Sequence, residues 1–146
     1  MQECKAVLKS RGLRATSQRV VLLRLLLEVE GHRHLTAQEI HDRATETLPG
    51  LNLATVYRTL EGLNEAGLVD RLDAGLDQVR YSYRDPEHRH GHLCCSSCGK
   101  VDEFDYRLVV RLAEELKERH GFQLSTHHLG LSGLCKTCQS RNSESK

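Results

Sequence analysis

The sequence has no long hydrophobic run and no large excess of either charge. Its longest apolar stretch, residues 20–27, is interrupted by Arg24 and is far shorter than the ~20 residues that a membrane-spanning helix needs. The formal net charge of +1 over 146 residues excludes a strongly basic or strongly acidic chain. The N-terminus shows no secretory signal, so we expect a cytoplasmic protein with no membrane partner.

Two metalloenzyme motifs are also missing. The chain has neither the H-E-x-x-H motif of zinc proteases nor the H-x-E and P-C-x-x-C pattern of zinc deaminases. No candidate general base stands beside its histidine-rich segment. We therefore expect no enzymatic activity and no small-molecule substrate.

The positive charge is concentrated at the N-terminus. Residues 1–24 contain six lysines and arginines against the single acid Glu3. Neutralisation of phosphates supplies most non-specific affinity for DNA, so this basic end favours contact with nucleic acid. The length suits one domain of common size or two small ones.

Apolar spacing and capping residues predict four helices in the first half. Thr16 or Ser17 can cap an almost wholly apolar helix, which should be central. Thr36 and Glu39 have the spacing of a capping box, and Asn52 can cap the next helix, which Gly67 ends. The predicted helices cover residues 2–11, 17–30, 36–47 and 53–66.

Two strand-like segments, 68–72 and 78–83, follow these helices around a turn at 73–75. Helices followed by a hairpin in this order are typical of a winged helix-turn-helix. The helix at 53–66 would then be the recognition helix in the major groove of DNA, with the hairpin near the phosphates. The alternative is an ordinary small helical domain.

The second half predicts a small α/β unit after a linker at 85–87. Strands are expected at 92–95 and 100–104, an amphipathic helix at 106–120, and one or two strands within 122–134. The helix has an apolar stripe of Leu108, Leu112 and Leu116. A unit this small buries little core alone, so we expect it to dimerise. The polar end, 139–146, should be disordered.

Two CxxC motifs carry the most specific chemistry in the chain. Cys95 with Cys98, and Cys135 with Cys138, each offer paired thiolates, and together they complete a tetrahedral zinc site. Six cysteines in a reducing compartment are better explained as ligands than as disulfides. Thioredoxin-like chemistry is the rival, but neither motif opens a helix directly after a strand.

Three histidines precede the first CxxC motif at alternate positions. In an extended segment His88, His90 and His92 project on one face, which favours a second metal site. Glu103 on the neighbouring strand and His34 before the second core helix are the residues that can complete it. A metal joining His34 to the histidines would fix the angle between the two halves and so control DNA binding.

Several motifs together resemble the Fur family of ferric uptake regulators. The resemblance spans residues 5–138, includes Cys135-x-x-Cys138, and rests on three further motifs: Arg14-Ala15-Thr16-Ser17-Gln18-Arg19, Leu53-Ala54-Thr55-Val56-Tyr57-Arg58-Thr59-Leu60 and His90-Gly91-His92-Leu93-Cys94-Cys95-x-x-Cys98-Gly99-Lys100-Val101. It implies an α+β fold, a homodimer and a metal-dependent repressor that binds an inverted-repeat operator in double-stranded DNA. The implied organisation is a winged-helix domain at 1–84, a hinge at 85–91, a dimerisation and metal-binding domain at 92–138 and a tail at 139–146.

The resemblance also implies roles for individual residues. The four CxxC cysteines match the structural zinc ligands, one zinc per chain. The regulatory metal would be held by His34, His90, His92 and Glu103, with Asp85 and His88 as further candidates. The residues implied in DNA contact are Arg14, Arg19, Thr55, Tyr57 and Arg58.

The sensed metal stays open at this point. Iron(II) is the commonest effector in the family and Glu103 adds an oxygen ligand, so Fe²⁺, followed by Mn²⁺ or peroxide sensing, is favoured over Zn²⁺ and Ni²⁺. A third family site has lost its ligands except His127. In another class, a zinc-ribbon adaptor that binds protein would explain the cysteines but leave the histidines unused.

Overall fold

The computed structural model of the chain describes residues 2–29, 34–73, 78–85, 90–125 and 129–144. Two compact units make up the chain: Met1–Arg71 with Val79–Asp85, and Leu72–Gln78 with Pro86–Lys146. Most of the predicted hinge, with His88, lies outside the described residues. So do Gly31, the centre of the predicted hairpin turn, and His127.

Among its described residues, the first unit has four helices and a three-stranded sheet. The strands stand in the order β1-β3-β2, and β1 runs antiparallel to β3 with Leu35 opposite Tyr81. This is the element order expected of a winged helix-turn-helix. The elements are α1 Gln2–Ser10, α2 Ser17–Glu28, β1 Leu35–Thr36, α3 Ala37–Ala44, α4 Leu53–Glu65, β2 Val69–Leu72 and β3 Arg80–Tyr83.

Side-chain caps fix where three of these helices begin. The Thr16 hydroxyl accepts a hydrogen bond from the Arg19 amide at 3.3 Å, and the Asn52 side-chain oxygen accepts one from the Thr55 amide at 2.8 Å. At α3, Thr36 and Glu39 form the predicted capping box, with both reciprocal bonds made. Each cap satisfies an amide that the helix cannot, worth about 1 kcal/mol.

The apolar core of the first unit lies around α2. Five residues of α2 are buried, because its apolar positions surround the helix instead of forming one stripe. Apolar residues of α3, α4 and the sheet complete the core. Its most deeply buried members include Leu22, Leu23, Leu35, Ile40, Val56, Leu60, Leu63, Val69 and Tyr81. The central position predicted for α2 is confirmed.

In the part of the second unit that the structure describes, two helices accompany a three-stranded sheet. Its strands stand in the order β5-β4-β6, with β4 antiparallel to β5 and parallel to β6. Asp105 caps α5, and Gly121 ends it in the left-handed conformation with φ of 61°. The elements are β4 His90–Cys95, β5 Val101–Asp105, α5 Tyr106–His120, β6 Gly130–Gly133 and α6 Lys136–Glu144.

The second unit differs from the sequence-based predictions in two features and agrees with them in a third. Strand β4 begins at His90, inside the predicted hinge, because pairing with β5 extends to the His90–Asp105 pair. The prediction of one or two strands within 122–134 is met, among the described residues, by one strand at Gly130–Gly133. Where a disordered tail was predicted from Gln139, the structure has α6, whose first turn is held by a Gln139 amide bond to the Cys135 carbonyl.

Two leucines of the predicted apolar stripe of α5 are exposed and do not face the core of their own unit. Val109 is buried at 1% exposure, whereas Leu108 is 52% exposed and Leu112 39% exposed. The helix therefore packs on its own sheet through Val109 and leaves two leucines bare. Within the described residues, no helix is both long and apolar enough to cross a membrane.

Candidate metal centre and DNA-binding surface

The four cysteines of the CxxC motifs meet in one cluster. Their Sγ atoms all lie within 4.8 Å of one another, and the Cys98 and Cys135 Sγ atoms are 3.8 Å apart. Four sulfurs bound tetrahedrally to zinc at about 2.3 Å would be separated by about 3.8 Å. The donor set and its dimensions therefore suit a structural zinc ion, as the sequence predicts.

Local geometry and strand pairing both build this cluster. Cys95 ends β4, and the chain turns back at Gly99, whose φ of 76° favours glycine. The Gly99 amide donates to the Cys95 carbonyl at 3.0 Å, which closes the knuckle. Strand β6 runs beside β4 with Gly133 opposite Cys95, and this register delivers Cys135 to the first knuckle.

Hydrogen bonds within the cluster change the pKa values of three of its thiols. Backbone amides of Cys98 and Cys135 lower the pKa of Cys95 to about 6, and the Cys135 amide lies 3.4 Å from the Cys95 sulfur. The Cys138 amide is the main cause of a lowered pKa at Cys135. The Ser97 hydroxyl acts to lower the pKa of Cys138, but the neighbouring thiols and burial outweigh it and raise this pKa to about 11. Zinc binding would therefore displace the proton that Cys138 keeps, and the cation would neutralise the charge of the four thiolates it gathers.

The predicted regulatory ligands lie on both units. His92 on β4 is directly opposite Glu103 on β5, so their side chains share one face of the sheet. His90 stands two residues earlier on the same strand, opposite Asp105. In the first unit, His34 precedes β1 and is 8% exposed.

Two other acids, Asp85 and Asp105, have different surroundings. Asp85 is partly buried at the end of the first unit. Asp105 accepts hydrogen bonds from the Arg107 amide and guanidinium at 2.9 and 3.0 Å. These bonds hold the pKa of the Asp105 carboxyl below its ordinary value, and they commit it to capping α5.

The predicted recognition helix presents its polar residues on the surface. Tyr57 is 46% exposed, and Arg58 is exposed with its guanidinium 3.4 Å from the Thr55 hydroxyl. Arg14 is exposed, and its carbonyl accepts a 3.0 Å bond from the Arg19 guanidinium. Arg19, which is partly buried, therefore stabilises the segment that carries Arg14.

The turn before the recognition helix is held by a residue that sequence reasoning missed. The His41 Nε2 atom on α3 is 2.8 Å from the Leu51 carbonyl, next to the Asn52 cap of α4. No sequence pattern marks this contact, because it joins residues on two elements across a turn.

Comparison with known proteins identifies relatives over nearly the whole chain. The model of the ferric uptake regulator family matches residues 10–132. The ferric uptake regulation protein of Bacillus subtilis is 37% identical over 142 residues, which cover 96% of this chain and 95% of that protein. The peroxide-responsive repressor PerR of Staphylococcus aureus is 32% identical over 144 residues, or 97% of this chain and 93% of that protein.

A solved structure shares the same fold. The structure of the ferric uptake regulator from Pseudomonas aeruginosa with manganese has 33% sequence identity and a TM-score of 0.72. The match covers 91% of this chain and 98% of that one.

Proposed function

This chain belongs to the ferric uptake regulator family of metal-responsive, DNA-binding transcriptional regulators, and we propose that it senses iron(II) or manganese. The regulatory ligands in this proposal are His34, His90, His92 and Glu103, with Asp85 and His88 as further candidates. The observation that carries it is the cross-strand pair of His92 with Glu103. Imidazole and carboxylate on one sheet face form a mixed nitrogen and oxygen donor set, which suits iron(II) or manganese.

The proposal separates two metals by their roles. Zinc at the four cysteines is structural, because it joins the end of β4 to the start of α6 and leaves no open ligand position. The second metal is exchangeable and regulatory. Zinc or nickel as the sensed ion is the alternative within the family.

Regulation in this proposal acts on DNA affinity. The regulatory metal would take His34, with Asp85 as a further candidate, from the first unit and His90, His92 and Glu103 from the second, and so fix the angle at which each winged helix is presented. In the homodimer, the two α4 helices would then enter successive major-groove faces of an inverted-repeat operator in double-stranded DNA. A cytoplasmic location belongs to the same proposal and is supported by cysteines suited to a reducing compartment.

Metal titration with DNA binding tests the assignment. Protein purified without added metal is analysed for zinc, then titrated with Fe²⁺, Mn²⁺, Zn²⁺ and Ni²⁺ while its binding to a duplex selected from a random pool is followed. We expect one retained zinc per chain and metal-dependent DNA binding driven best by Fe²⁺ or Mn²⁺. DNA affinity that ignores every added ion would contradict a regulatory site.

Replacing a ligand gives the first prediction. His92→Ala should keep the zinc and the dimer but lose most of the metal dependence of DNA binding, because one of the regulatory ligands is gone. His120→Ala is the matched control, since His120 is exposed at the end of α5 and should leave the response intact. If both variants respond like the wild type, His92 is not a ligand.

Peroxide sensing is the second candidate, favoured by the similarity to the Staphylococcus aureus repressor. In that case hydrogen peroxide would oxidise the iron-loaded protein at a ligand histidine, adding one oxygen atom. Mass spectrometry of peptides after peroxide treatment distinguishes the two. A mass gain of one oxygen at a ligand of the iron-loaded protein, absent from the manganese-loaded protein, would identify a peroxide sensor.

A further inference from the structure

Three side chains link the recognition helix to the wing, which is the β2–β3 hairpin. Glu61 lies on α4, Arg71 on β2 and Tyr81 on β3. The Arg71 Nε atom is 3.8 Å from the Glu61 carboxylate, and the Arg71 side chain also donates a hydrogen bond to the Tyr81 hydroxyl. We call these three residues the helix–wing cluster.

Tyr81 is the buried member of the cluster. Its ring is 1% exposed in the central strand of the sheet, opposite Leu35 of β1. Burial, followed by the nearby Glu61 carboxylate, raises the pKa of the Tyr81 hydroxyl, while Arg71 acts in the opposite direction. The hydroxyl is therefore a neutral acceptor facing both charges, held by a side chain that the core does not allow to move.

The ion pair in this cluster has little value for stability alone. The side chains of Arg71 and Glu61 are 42% and 46% exposed, and exposed pairs of this kind contribute little to folding free energy because water screens them. A negative charge is also unfavourable on a helix that approaches phosphates. Neither folding stability nor simple attraction to DNA therefore accounts for a glutamate at position 61.

Position along α4 supplies the explanation. Glu61 follows Tyr57 by four residues, so the two share one face of the helix. Both contribute to the raised pKa of the Tyr81 hydroxyl, which indicates that this face is turned toward the wing. A contact that holds Glu61 against the wing therefore also fixes the rotation of the helix that presents Tyr57. We propose that Glu61 and Arg71 are positioning residues that set the wing against the recognition helix, so that both meet DNA in one orientation.

This inference rests on the proposed DNA-binding function. For Glu61→Gln it predicts a change in DNA affinity opposite in sign to the one that electrostatic attraction alone predicts. Glu61→Gln removes a negative charge near phosphates, which by itself would tighten DNA binding. Loss of positioning should instead weaken binding of the metal-loaded protein by about tenfold, within the usual coupling of residues in one network. Glu65→Gln makes the same charge change one turn later on α4, where the side chain is exposed, and serves as the matched control.

The salt dependence of binding tests Arg71. If Arg71 contacted a phosphate directly, Arg71→Gln would lower the slope of log affinity against log salt by about 1. A positioning role predicts weaker binding with an unchanged slope. It also predicts that the Glu61→Gln/Arg71→Gln double variant binds no worse than the weaker single variant.

The experiment uses full-length, metal-loaded dimers and a duplex selected by the wild-type protein from a random pool. Binding is measured by fluorescence anisotropy at several salt concentrations, and thermal unfolding shows that each variant is folded. Equal or tighter binding by Glu61→Gln, with metal-dependent binding intact in the wild type, would overturn the inference alone. Absence of metal-dependent binding in the wild-type protein would overturn the proposed function and the inference together.

Discussion

Gly91 leaves room for the Phe104 ring in the sheet of the second unit, because it has no side chain. It is buried on β4 directly opposite Phe104, and a Cβ atom at this position would lie only 2.0–2.6 Å from three carbon atoms of the Phe104 ring. The ring covers the gap that the missing side chain leaves. Because His92 and Glu103 are the next residues on the same two strands, this packing bears directly on the proposed regulatory site.

The first consequence at this scale is a prediction for Gly91→Ala. The added methyl group should force Phe104 to move and destabilise the protein by roughly 1–3 kcal/mol, as overpacked cores do. Thermal unfolding measures the loss. Gly133→Ala is the matched control, since a Cβ there meets nothing within 4 Å, and it should be neutral. Equal melting temperatures for both variants would show that the Phe104 ring is free to move aside.

Individual elements differ in how far local sequence determines them. The beginnings of α3 and α4 were predicted correctly because a cap involves residues only three positions apart. Helix α6 was not predicted, since its residues are polar and carry no apolar stripe. Its start depends on Cys135 and Cys138, which are held in the cluster with Cys95 and Cys98, about 40 residues away in sequence.

Removing one zinc ligand should therefore affect elements, not one residue alone. We predict that Cys98→Ala loses the zinc, the helical content of α6 and the fold of the second unit, because metal binding contributes its free energy to folding. Elemental analysis, circular dichroism and size-exclusion chromatography measure these losses. Cys94→Ala changes a buried cysteine of β4 that is outside the cluster, and it should keep its zinc. A folded dimeric Cys98→Ala protein with bound zinc would show that the assignment is wrong.

Regulators of this family are dimers, and the second unit of this chain exposes several large apolar side chains. Leu93 and Leu131 lie side by side on β4 and β6 and are exposed, as are Leu108 and Leu112 on α5. Exposed leucines grouped on one small unit are typical of an interface. We propose that these four leucines form part of the dimer contact.

The corresponding prediction concerns assembly. Leu108→Glu should raise the dimer dissociation constant by at least about tenfold, because it removes the burial of one leucine, worth roughly 1.5–3 kcal/mol, and adds a charge. It should keep its zinc and lose operator binding. Leu27→Glu is the control, since Leu27 is an exposed leucine of the first unit. Sedimentation that finds the same dimer for both variants would exclude this face of α5.

The sequence by itself determined the features that depend on near neighbours. Helix caps, the order of helices and hairpin, and the two CxxC knuckles all arise from residues within a few positions of one another. The family followed from motifs of the same kind. Periodicity also predicted that α5 has an apolar stripe, although it does not say whether a stripe faces the core or a second chain.

Only the tertiary structure decided which distant residues meet. The register of β4 with β5 puts Glu103 opposite His92, and the parallel pairing of β4 with β6 brings the second knuckle to the first. The helix–wing cluster likewise joins three elements. A shift of one residue in any of these pairings would leave every local pattern unchanged but turn each side chain to the opposite face, so the packing of the whole unit selects the register.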